Sequence, residues 1–131
     1  MLIKWIVLRE RYHEMNNRAV GTSYEEKAAN YLRDKGYKIM DKNFRCKIGE
    51  IDLIAMDGLY LCFIEVKYRS STSKGFPSEA INPNKIRRIT RTAQFYMLLH
   101  KIAQDTPCRF DAVVILEEDI SLIKNAFDGL D

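Results

Sequence analysis

At 131 residues, with 47% hydrophobic and 30% charged side chains, the chain has the size and composition of one globular domain with a real core. No stretch reads as a transmembrane helix, and the apolar start MLIKWIVL is short, broken by Lys4 and followed by no small-residue cleavage site, which argues against a signal peptide. The net charge of +3 conceals an asymmetry: residues 1–102 carry 19 Lys/Arg against 11 Asp/Glu, and residues 103–131 carry 2 against 7. A basic body of this kind suits a polyanionic partner, or simply a solubilising surface.

Residues 1–20 read as an N-terminal extension, either partly disordered or an upstream mis-start with translation beginning at Met15. Leu2, Ile3, Ile6 and Val7 there could share one side of an amphipathic helix. Residues 21–131 form the domain. Its first helix is expected just after Gly21, capped by Thr22 or Ser23, with Tyr24, Ala28, Tyr31 and Leu32 at helical spacing and Gly36 as a left-handed stop. YKIMDKNFRC follows as a strand. GEIDLIAMDGLYLCFIEVK then reads as a hairpin, with Asp57-Gly58 as its two-residue turn.

RSSTSKGFPSE is a polar loop with Gly75 and Pro77, and Pro83 opens a second helix whose inner stripe is Ile86, Ile89, Ala93 and Met97. Phe95 and Tyr96 are packing residues on it. RFDAVVIL and ISLIKNAF supply two more strands. The order helix, three strands, helix, two strands predicts an α/β fold with a central mixed sheet flanked by helices.

Counting outward from an Asp57-Gly58 turn pairs Met56 with Leu59, Ile54 with Leu61, Asp52 with Phe63 and Glu50 with Glu65. Side chains alternate along each strand, so Asp52, Glu65 and Lys67 share one face, while Ile51, Leu53, Cys62, Ile64 and Val66 line the other. Two carboxylates held together repel, and a hard divalent cation such as Mg²⁺ offsets that repulsion. Lys67 beside it could orient a water or stabilise negative charge on a phosphate. The plain alternative is an ion pair of Lys67 with Glu65 or Asp52 on a solvated face.

On the second helix, Lys85, Arg87, Arg88 and Arg91 place four cations within seven residues, and Arg45, Arg69 and Lys74 flank the acidic cluster and the polar loop. Phosphate contacts by such residues give affinity without reading sequence. His13 and His100 lie far apart with no nucleophile signature, and no phosphate-cradling glycine loop exists, so a nucleotide cofactor is not expected. Cys46, Cys62 and Cys108 are odd in number and widely spaced, against both a disulfide framework and a zinc ribbon, and they fit a cytoplasmic compartment.

Asp52 followed by Glu65-Val66-Lys67 resembles the D…E-x-K signature of the PD-(D/E)XK nuclease superfamily. The wider pattern is similar to its YraN branch of Holliday-junction-resolvase-like proteins. The matching pieces are Gly21-x-x-x-Glu25, Asn43-x-Arg45, GEIDLIA, FIEVKYR, Gly75, Lys85, RFDAVV and Asn125-Ala126-Phe127. Ile51 stands where proline often precedes the aspartate. The resemblance implies a restriction-endonuclease-like core and a metal-dependent, structure-selective DNA endonuclease. Mg²⁺, replaceable by Mn²⁺, would be held by Asp52, Glu65 and the Val66 carbonyl, and Lys67 would position water.

Glu25 matches the family's acid on the first helix, as a further metal or water contact, while Glu26 is better explained as a capping partner of Ser23. Glu50 stays outside the catalytic set. The resemblance also makes a homodimer and a branched DNA substrate plausible. Two alternatives remain: a catalytically silent DNA-binding or scaffold protein that keeps the fold, and a protein-interaction module.

Overall fold

The computed structural model describes residues 14–69 and 82–130, with side chains from residue 23 onward. Helix α1 runs Glu14–Asp34, so it begins upstream of Gly21, and Thr22 and Ser23 lie inside it rather than capping it. Glu26 correspondingly has no capping role: it pairs with Lys42 at 2.6 Å and Arg33 at 3.5 Å on the surface. The stop is as the sequence requires. Gly36 adopts φ 92°, its amide donates to the Arg33 carbonyl, and the Tyr37 amide donates to the Leu32 carbonyl, which closes a Schellman motif.

Strands β1 (Lys38–Arg45), β2 (Glu50–Asp57) and β3 (Tyr60–Arg69) form an antiparallel meander. Helix α2 (Pro83–Leu99) crosses to β4 (Cys108–Leu116), which pairs parallel to β3, and β5 (Asp119–Ile123) returns antiparallel. The result is one mixed five-stranded sheet in sequence order. Asn82 caps α2 through its Oδ1, which accepts from the Lys85 amide at 3.0 Å. Ala28, Ala29 and Leu32 of α1 pack on Leu53, Cys62, Ile64 and Val66, while Ile89, Ala93, Tyr96 and Met97 of α2 pack on Ile54, Leu61 and Phe63. Each helix therefore covers one face of the sheet. Phe95, one residue before the buried Tyr96, is exposed.

The hairpin turns one residue later than expected. Asp57 pairs with Tyr60, and the turn is Gly58-Leu59, with Gly58 at φ 60°. Asp57 stays in the ladder because its carboxylate accepts from Arg109 Nη2 at 2.8 Å and pairs with Lys124 at 3.3 Å. The register therefore shifts by two residues, which leaves every side chain of the regular ladder on its expected face. Ile51 is the exception, packing with Ile54 on the α2 side. The pairing of β1 with β2 keeps one register from Asp41↔Ile54 to Arg45↔Glu50, with Asn43 at a left-handed φ of 58°, and shifts earlier, between Ile39 and Asp41.

A second polar cluster, to which the sequence reading gave no role, closes the hairpin end. Arg109 donates to both oxygens of the fully buried Asp111 (2.8 and 2.9 Å), to Tyr37 Oη and to Asp57. Asp111 also accepts from the Asn125 amide at 2.9 Å. The spacing Arg109-x-Asp111 was the available signal, since it puts both side chains on one face of a strand. Phe110, on the opposite face, stacks on Phe127 with centroids 5.0 Å apart.

Candidate active site

Asp52, Glu65 and Lys67 are buried in the sheet, at 1%, 1% and 0% exposure. That excludes a solvated surface ion pair. Taking each such ion out of water costs several kcal/mol even after relaxation, so stability alone does not select the arrangement. The site forms where β2 and β3 part. Their paired register ends at Leu53↔Ile64, and beyond it Asp52 Oδ2 accepts from the Val66 amide at 2.9 Å. This bond fixes the Asp52 carboxylate against the backbone of the Glu65-Val66-Lys67 segment.

Glu65 and Lys67 alternate with Phe63 along β3 and so face the α2 side. There Lys85, in the first turn of α2, brings its Nζ to 3.9 Å from Glu65 Oε2. Burial pushes the Lys67 ammonium down to about 8; Glu65 opposes this, and Lys85 and Arg69 add to it. Lys67 Nζ meets no hydrogen-bond acceptor among the described residues. A buried amine so poised can hold a water or donate to a developing negative charge.

Glu25 is half-buried on α1, beside Tyr24, whose ring stacks on Tyr68 at 3.8 Å. Among the described residues no three His, Cys, Asp or Glu side chains cluster as a metal cage. Two carboxylates nevertheless suit Mg²⁺, which keeps several waters and takes substrate phosphate for its remaining positions. The donor set fits that ion; the Val66 carbonyl lies on the same fixed segment.

The expected phosphate contacts divide. Arg88 and Arg91 are exposed on α2 and, with Ile48, Asn84 and Arg87, line an open groove of about 570 Å³. Gly49 lets the β1–β2 connection seat there, since a Cβ would stand 3.0 Å from both Arg88 Cγ and Thr92 Oγ1. Arg45 is exposed but paired with Glu50 at 3.1 Å, which gives Glu50 a plain structural role. Arg69 is buried, donating from Nη1 to the Tyr68 carbonyl at 3.3 Å, and so lies in the interior rather than on a binding surface. Lys74, Gly75 and their loop lie outside the described residues, as do residues 1–13.

The family profile described as "Uncharacterised protein family UPF0102" matches residues 24–115, which span α1 to β4 and every residue of the site. The chain belongs to this family. The resemblance to the YraN branch is thereby borne out. Relatives within the family include a UPF0102 protein of Lachnoclostridium phytofermentans, 54% identical over 88% of this chain and 98% of its own. One of Caldicellulosiruptor saccharolyticus is 45% identical over 86% and 100%. One of Persephonella marina is 45% identical over 82% and 92%. Among the described residues no helix is long and apolar enough to cross a membrane.

Proposed function

We propose that the protein is a metal-dependent, structure-selective endonuclease acting on DNA. The observation that carries this reading is the burial of Asp52, Glu65 and Lys67 together where β2 and β3 part. Asp52 and Glu65, with the Val66 carbonyl, would hold Mg²⁺ or Mn²⁺, and Glu25 would reach it through water. When bound, the ion would polarise a phosphoryl oxygen and neutralise charge accumulating on it.

Lys67 would hold the attacking water in line with the scissile bond. Water oxygen would then bond to phosphorus as the P–O bond to the leaving sugar breaks, the water giving up one proton to solvent and the leaving oxygen taking one up from it. Arg88 and Arg91 would grip backbone phosphates along the α2 groove, contacts that carry affinity without reading sequence and so suit a substrate chosen by shape. A two-fold dimer would present two such sites to a branched duplex.

Cleavage of labelled four-way junction, flap, single-stranded and linear duplex DNA in Mg²⁺ or Mn²⁺ tests the proposal. Metal-dependent cutting with preference for a branched substrate is expected. Salt-sensitive binding without cutting on any substrate would replace this reading with that of a silent DNA-binding scaffold.

A further inference from the structure

Lys85 occupies a position that helix physics disfavours. A cation in the first turn opposes the positive end of the helix macrodipole, and that turn carries no acidic residue to compensate. Its side chain nonetheless turns inward, 15% exposed, to stand 3.9 Å from the Glu65 carboxylate. Its backbone is fixed, since the Lys85 amide donates to the Asn82 cap. Only the four-carbon stem is free to swing. Lys67, the other ammonium near Glu65, is wholly enclosed within the sheet and cannot leave.

We infer that Lys85 stands in for the metal on Glu65 and is expelled by it, so that metal loading delivers this lysine to the substrate. The inference rests on the reading of Asp52 and Glu65 as metal ligands. With a divalent ion beside Glu65 both lysines would be repelled, and Lys85, in the first turn of α2 and 15% exposed, is the one that would move. Swung outward along α2, it would approach Arg88, three residues on, and the groove that Arg88 and Arg91 line. The released ammonium completes a row of cations from the site to the groove. Substrate grip and metal occupancy become linked, and the metal-free protein keeps its buried carboxylate charge-balanced.

The test follows Lys85 directly in the full chain. Its acylation by an N-hydroxysuccinimide ester, read by mass spectrometry, is expected to speed up several-fold when Mg²⁺ is added, and not in Asp52→Ala. Calorimetric titration of Lys85→Met is expected to show Mg²⁺ binding roughly tenfold tighter than in the parent protein, with weaker DNA binding in the loaded state. Mg²⁺ binding that leaves Lys85 reactivity unchanged overturns this inference alone and makes Lys85 a fixed positioning residue. No Mg²⁺ binding by the parent protein overturns the metal reading beneath it as well.

Discussion

Lys67 lies at 0% exposure on the strand that carries Glu65, and burial holds its ammonium well below the ordinary lysine range, at about 8. A lysine in such a place costs folding free energy, because desolvating the charge is not matched by a hydrogen bond among the described residues. Replacing it with an apolar side chain of similar length should therefore separate stability from activity. Lys67→Met is expected to lose cleavage while staying within about 2 kcal/mol of the parent's stability, because relief of the lysine's desolvation offsets the charge partner lost to Glu65. Thermal denaturation beside a cleavage assay reads both. A clearly less stable Lys67→Met protein would show instead that the lysine is needed as a structural partner of Glu65.

Helix α1 ends on Gly36 at φ 92°, with nothing within 4 Å of where a Cβ would be, so an alanine there pays only for the left-handed backbone. Gly36→Ala should cost about 1 kcal/mol by chemical denaturation without altering the site; a loss several times larger would mean that the end of α1 is coupled to the sheet beyond its cap. That stop was legible because only glycine enters this conformation freely. The start was not: the sequence offered Thr22 and Ser23 as caps, yet α1 continues back to Glu14.

The hairpin divides in the same way. Faces repeat every two residues, so the assignment of Asp52, Glu65 and Lys67 to one region of the sheet survived a register error of two. The register itself depended on Asp57, which Arg109 and Lys124 hold in the ladder across 52 and 67 residues of chain. No local pattern carries a contact of that range. Ile51 was misplaced because it lies beyond Leu53↔Ile64, where the paired register of β2 and β3 ends. The buried Arg109–Asp111 pair was visible only as a spacing and acquired its partners, Tyr37 and Asp57, through the fold.

In the proposed nuclease, the basic groove on α2 would supply electrostatic attachment and the parted strands a confined reactive centre. Phosphate contacts release counterions, so the separate Arg88→Ala and Arg91→Ala proteins are each expected to bind DNA more weakly whatever its sequence. Each should flatten the dependence of log affinity on log salt by about 1. Binding isotherms at several salt concentrations measure this, and an unchanged slope would place the DNA elsewhere. The central claim concerns the acids. Single-turnover cleavage of the preferred labelled DNA in Mg²⁺ should fall to background in Asp52→Ala, while its circular dichroism and melting profile remain those of a folded domain. Undiminished cutting by a folded Asp52→Ala protein would contradict the account.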